Sequence, residues 1–183
     1  YYLTDFNTIT LINQFPTILP MNVLLVSEYY PPKIMGGGEI NAALIAQALM
    51  KQGAMVGVLT SFQEGLPKEE ERDGIHIYRT LRTAQGVSSL SHSLKRSLVF
   101  PRSVVQEVRR IHQQYDLIHF LGTSVIAAPT LKALGKPLFA TVESFPTLCP
   151  KGDRFYHGKR ECTISCSGWE FVRCQQHSPE IGK

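Results

Sequence analysis

Two apolar runs, Val23–Ser27 and Met55–Thr60, bracket a segment from Glu39 to Lys51. In that segment Ile40, Leu44 and Ala48, with Ala43 and Ile45 beside them, recur at intervals of three and four. A run that is apolar without alternation suits a strand buried on both faces, whereas a three-four interval suits a helix. Gly53 supplies the stop between helix and second strand. A strand, a helix and a strand in this succession imply a right-handed crossover and a parallel sheet.

The alternation continues. Phe62–Asp73, with Gly65, Pro67 and a Glu-rich run, reads as a solvated loop, and Ile75–Arg79 as a third strand. After a Ser-rich stretch from Thr83 to Ser93 the pattern predicts one helix over Leu90–Phe100 and another over Pro101–Gln114, with Pro101 in the first turn of the second. Lys95, Arg96, Arg102, Arg109 and Arg110 read as solvated helix faces. Leu117–Phe120 is a fourth strand, Val125–Leu134 a helix ended by Gly135, and Leu138–Val142 a fifth strand. The expected fold is α/β: a doubly wound, mainly parallel Rossmann-like sheet, with an irregular cysteine-containing C-terminal tail. Its ligand edge lies at the carboxyl ends of the strands. Residues 1–20 read as an N-terminal extension or a misplaced start before Met21, with a short edge strand around Thr8–Asn13. Residues 21–145 form the Rossmann-like domain, and 146–183 the tail or the start of a truncated remainder. The first twenty residues lack the basic start, apolar run and cleavage site of a signal peptide.

With 43% hydrophobic and 19% charged residues the chain is neither disordered nor collagen-like. No stretch reaches the roughly eighteen apolar residues of a spanning helix. The net charge of +4 suits anionic substrates or a membrane surface and does not call for nucleic acid, which is not expected as a partner.

Four groups of residues can carry chemistry. Gly36, Gly37 and Gly38, followed by Glu39, lie between the first strand and its helix. Glycines there allow close backbone approach and present amides at the positive helix end, where a phosphate or sugar-diphosphate fits; a turn that needs positive φ is the alternative. The fingerprints G-x-G-x-x-G and G-K-[ST] are both absent. His119, on the fourth strand, is either a packed sheet residue or a hydrogen-bonding group facing the crevice, and Thr123 and Ser124 cap the helix that follows. Glu143, just past the fifth strand, is a general base, a ligand for hydroxyls, or a salt-bridged loop residue. Cys149, Cys162, Cys166 and Cys174 are the only cysteines and sit together in the tail. Four thiolates there can hold a structural zinc, with His157 and His177 as spare ligands, although the Cys-x-x-Cys spacing is missing. Local disulfides, an iron–sulfur centre and free thiols are the alternatives.

Taken together, the stretch MNVLLVSEYYPPKIMGGGEINAALIAQALMKQGAMVGVLTS, the segment Asp116–His119 and the tail TVESFPTLCPKGDRFYHGKREC resemble GT-B glycosyltransferases of the retaining family 4 type, over roughly Met21 to Cys174. The resemblance implies a two-domain enzyme that transfers a sugar from a nucleotide-sugar donor to an acceptor hydroxyl. It implies that this chain is the acceptor-side, amino-terminal domain. Gly37 and Gly38 would approach the donor phosphates, and His119 and Glu143 would orient sugar hydroxyls. Arg96 and Arg102 are weaker candidates for an anionic or lipid-linked acceptor. The family's crevice histidine falls at Glu143, a departure from the pattern. The implied partners are a missing or separate C-terminal GT-B domain, a sugar or lipid-linked acceptor, and a homo-oligomer. The implied location is the cytoplasm, with the inner face of the membrane as the alternative. Without its second domain the chain is expected to lack full transferase activity. The competing readings are a non-catalytic binding or assembly subunit on a degenerate half-fold, and a zinc-stabilised nucleotide-binding module.

Overall fold

The computed structural model describes residues 21–83, 90–143, 155–156 and 160–163. The expected edge strand at Thr8–Asn13, the domain boundaries at 20 and 145, and Cys149, Cys166 and Cys174 lie outside these residues.

Six strands form one sheet in the order β3-β4-β2-β1-β5-β6. They are β1 (Asn22–Val26), β2 (Met55–Ser61), β3 (Glu69–Arg72), β4 (Ile75–Leu81), β5 (Leu117–Leu121) and β6 (Leu138–Thr141). All pairings are parallel except that of β3 with β4. The helices are α1 (Gly37–Lys51), α2 (Leu90–Ile111) and the short α3 (Ala128–Leu131). A two-stranded ribbon, β7 (Phe155–Tyr156) with β8 (Arg160–Glu161), lies in the tail.

The side-chain alternation of β1 explains its apolar run Val23–Val26. Val23 and Leu25 enter a core layer with Ala42 and Ala46 of α1, while Leu24 and Val26 enter a second layer with Phe100, Val104 and Val108 of α2. Both faces are covered, so none of these four positions can be polar. On α1 the buried residues are the small Ala42 and Ala46, which let the helix lie close to the sheet. The expected apolar positions Ile40 and Leu44 point outward instead.

Three expectations are corrected. The Phe62–Asp73 loop contains β3, turned back onto β4 by Asp73 and Gly74, both at positive φ; an Asp-Gly pair is a favoured two-residue hairpin turn. The two helices expected on either side of Pro101 are one helix. Phe100, Val104, Val108 and Ile111 form a single buried stripe on its carboxyl-terminal half. That burial offsets the cost of about 3 kcal/mol that an internal proline carries. The helix expected over Val125–Leu134 is a 3-10 stretch (Gly122–Ala127), the one-turn α3 and a second 3-10 turn (Lys132–Leu134) closed by Gly135 at φ +68°. No helix among the described residues is long and apolar enough to cross a membrane.

Candidate functional site

Because β1, β2, β4, β5 and β6 run parallel, their carboxyl ends share one rim. The chain order reverses at β1: α1 leads from it to β2 on one side, and α2 carries the chain from β4 back to β5 on the other. A crevice outside the strand ends opens at such a point.

The glycine turn enters this crevice beside β1. Gly36 is extended, and α1 starts at Gly37. Glu39 turns its carboxylate back on its own helix start, where Oε2 accepts from the amides of Gly36 (2.8 Å) and Met35 (3.3 Å). Glu39 thus caps the turn. Helix geometry leaves the amides of Gly37 and Gly38 without intrahelical acceptors. Space around them differs: a Cβ on Gly37 would meet nothing within 4 Å, whereas one on Gly38 would stand 2.9 Å from Oε2 of Glu143.

Glu143 crosses from the end of β6 to the first turn of α1. Its Oε1 accepts from Nδ2 of Asn41 at 2.6 Å. Its Oε2 lies 3.2 Å from where a Cβ on Gly122 would be, and Gly122 is at φ +57°. Two glycines on different elements therefore leave room for one carboxylate. A negative charge at a helix start is also favoured by the helix dipole. Among the described residues its hydrogen-bond partner is the Asn41 side-chain amide.

His119 sits in β5, level with Leu25 and Phe139. Its neighbours in alternation, Leu117 and Leu121, pack on the α1 side of the sheet, so His119 faces the same way as Glu143. Nε2 is 2.8 Å from Oγ1 of Thr141, and the ring meets Phe139 edge-on. Burial pushes the imidazole pKa down, and the Glu143 carboxylate pulls it part of the way back. The two sequence alternatives merge: His119 is a packed sheet residue that also lies within the field of the crevice carboxylate.

One residue that the sequence reading did not single out stands at the centre. Glu28, two residues past β1, is 6% exposed. Its Oε1 accepts from the Thr83 hydroxyl at 2.6 Å and its Oε2 from the Thr123 hydroxyl at 2.7 Å. The signal was available, since Glu28 follows the buried run of β1; β6, which precedes Glu143, is by contrast half-buried to exposed. Ser124 caps the 3-10 helix Gly122–Ala127 from its third position, whereas Thr123 is turned to Glu28 instead of capping. Thr123 donates to Glu28, while Ser124 Oγ bonds the carbonyl of Val26 (2.7 Å) and the amide of Leu121 (3.0 Å).

On the same rim, beyond Thr83, a cleft of about 620 Å³ opens between β4 and α2, lined by Phe62, Lys68, Thr80, Arg82, Thr83 and Glu107. Arg102 is exposed on α2 and is not part of this lining; the side chain of Arg96 lies outside the description. Of the proposed zinc ligands only Cys162 is described, half-buried just past β8. No group of three or more His, Cys, Asp or Glu residues arranged for a metal occurs among the described residues.

Comparison with known proteins places this geometry. The family model for Glycosyltransferase Family 4 matches residues 35–163, which contain the glycine turn, His119 and Glu143. The chain is similar to an uncharacterized glycosyltransferase of Methanocaldococcus jannaschii, with 36% identity over 59 residues, 32% of this chain and 15% of that protein. Its fold resembles sucrose-phosphate synthase from Thermosynechococcus elongatus (TM-score 0.55, 17% identity, 68% of this chain and 33% of that one). It also resembles the catalytic domain of starch synthase IV from Arabidopsis thaliana (TM-score 0.52, 16% identity, 69% and 34%). At such identities the structural likeness speaks for the fold alone. The matched part spans about a third of each synthase and 15% of the archaeal relative.

Proposed function

Because the chain belongs to Glycosyltransferase Family 4, we propose that it is the acceptor-side domain of an enzyme that moves a sugar from a nucleotide-sugar donor to an acceptor hydroxyl. The observation that carries this reading is the meeting of Gly38, Gly122 and Glu143 above His119 at the strand-order switch. Glu143 offers a carboxylate to sugar hydroxyls. His119, kept neutral near pH 7 by burial, offers an uncharged ring that can donate or accept. The diphosphate approaches the amide of Gly37, around which space is open. The cleft beyond Thr83 receives the acceptor, with Lys68 and Arg82 at hand for an anionic group.

The remainder of the donor site belongs to a carboxyl-terminal domain, in the same natural chain or a separate one. The one-third coverage of the synthases supports that division. Without that domain, water is not excluded from the donor.

The test uses the full natural gene product with UDP-glucose, UDP-N-acetylglucosamine and GDP-mannose, in the presence of simple sugars and a lipid extract as acceptors. Release of nucleoside diphosphate from at least one donor is expected, falling at least tenfold in Glu143→Ala and in Gly37→Trp. Consumption of none of the three, or consumption untouched by both substitutions, overturns the reading.

A further inference from the structure

We infer that Glu28 is a positioning residue: its buried carboxylate holds the Gly122–Ser124 turn in the one shape that leaves a seat for Glu143 against α1. The inference rests on the reading above for what the seated carboxylate is used for, but not for the geometry itself.

Glu28 lies where the ends of four strands can be tied together. Its main-chain carbonyl accepts from the amide of Ser61 (3.1 Å) and the hydroxyl of Thr60 (3.3 Å), which fixes the end of β2. Its side chain reaches both ways along the rim, to Thr83 past β4 and to Thr123 past β5. Thr83 also lines the cleft, so one carboxylate joins the wall of the cleft to the turn beside Glu143. A buried carboxylate is costly unless its oxygens are hydrogen-bonded. Hydroxyl-to-carboxylate bonds of this length belong to the strong, charge-assisted class.

The link from Glu28 to Glu143 runs through two consecutive residues. Thr123 is held by Glu28, and Gly122, its neighbour, turns at φ +57° so that the hydrogen standing in for a side chain faces Oε2 of Glu143. Ser124 fixes the far end of the turn to Val26 of β1. The turn is thus held at Leu121 by the sheet and at Ser124 by the bonds to Val26 and Leu121. Glu28 adds the tie between them, at Thr123, next to the Gly122 backbone that faces the carboxylate. The hydroxyl bonds of Glu28 go to Thr83 and Thr123, so its action on Glu143 is exerted through the turn.

The experiment follows His119 by NMR in the full chain, because the Glu143 carboxylate raises its pKa and so reports whether Glu143 is seated. Titrations compare the parent protein with Glu143→Gln, Glu28→Ala, Glu28→Gln and Thr123→Val. Glu143→Gln is expected to lower the His119 midpoint. Glu28→Ala and Thr123→Val are expected to lower it by at least half as much, with no further drop when either is combined with Glu143→Gln. Glu28→Gln keeps hydrogen-bonding atoms in the same places and is expected to stay closest to the parent. Thr123→Val removes one hydroxyl at constant shape, so the test does not depend on Glu28→Ala folding. An unmoved midpoint in Thr123→Val, a shift that adds fully to that of Glu143→Gln, or a Glu143→Gln protein that titrates like the parent each overturns the inference. The titration needs no turnover, so it can fail while the transferase reading stands, and the reverse.

Discussion

Replacing Gly38 by alanine sets two effects of similar size against each other, and Gly37→Ala supplies the control. Both residues lie in the first turn of α1. Alanine is worth up to about 1 kcal/mol over glycine in a helix. At Gly37 nothing opposes that gain, since an added Cβ meets open space. At Gly38 the Cβ would stand 2.9 Å from Oε2 of Glu143, closer than real Cβ atoms come to such neighbours, so the carboxylate must withdraw. Withdrawal strains or breaks the 2.6 Å bond from Asn41, a net loss of about 0.5–1.5 kcal/mol. It also takes the charge away from the helix start, about 0.3–1 kcal/mol. Gly37→Ala is therefore expected to stabilise by a few tenths to about 1 kcal/mol, and Gly38→Ala to lie about 1–2 kcal/mol below it. Urea unfolding followed by far-ultraviolet circular dichroism measures the gap, provided the slope is constant across the set. Repeating both substitutions in a Glu143→Ala background is expected to close it. A Gly38→Ala protein as stable as Gly37→Ala, or a gap that survives removal of Glu143, refutes the seat.

Two further outcomes follow from the same geometry. Burial leaves His119 with a lower pKa in the folded chain than the roughly 6.5 of the unfolded one, so below about pH 6.5 the unfolded state takes up the extra proton and stability falls. His119→Gln is expected to lose less stability than the parent between pH 7.5 and pH 5 in urea titrations, and parallel curves would contradict this. Gly57, inside β2, faces the wedged ring of Tyr115, whose hydroxyl also bonds Tyr78 at 3.3 Å. A Cβ there would overlap that ring, so Gly57→Ala is expected to cost about 1–3 kcal/mol and lower the melting temperature by about 3–10 °C. An unchanged melting temperature would show that Tyr115 can move aside.

The sequence exposed the parts of the fold whose burial is symmetric. The runs Val23–Val26 of β1 and Val56–Leu59 of β2 are buried on both faces, so no register or partner had to be known to recognise them. It hid what depends on tertiary packing. Glu69–Arg72 reads as solvated because nothing in EEER signals a sheet; its place comes from the Asp73–Gly74 turn, whose dipeptide was legible, and from the bond of Glu70 to the buried Arg79 at 2.8 Å. The continuity of α2 through Pro101 was hidden because the local rule for proline is opposed by a buried stripe on the same helix. At the site, Glu143 was singled out because a charged residue after an apolar run is conspicuous. Glu28 offers the same signal, but the prolines and glycines that follow it drew attention to the turn instead. That Gly38 makes room for a carboxylate, rather than only for a ligand, required the distance between two segments about a hundred residues apart.

The seated carboxylate also decides which part of the glycine turn can take which ligand. Two unit charges about 4 Å apart repel by about 4 kcal/mol at the effective dielectric of a protein surface. The start of a helix attracts an anion by only about 0.3–1 kcal/mol when exposed. A phosphate placed at Gly38, beside Glu143, would therefore be expelled unless other positive charge accompanied it, whereas a neutral hydroxyl-bearing group would gain an acceptor. Gly37 lies one residue away with open space for a side chain, between the Glu143 carboxylate at Gly38 and the Glu39 carboxylate held by the Gly36 amide. Under the function proposed above, the position at Gly38 therefore suits a sugar hydroxyl rather than an unaccompanied phosphate, and the carboxylate at residue 143, where the resemblance leads one to expect a histidine, is the cause.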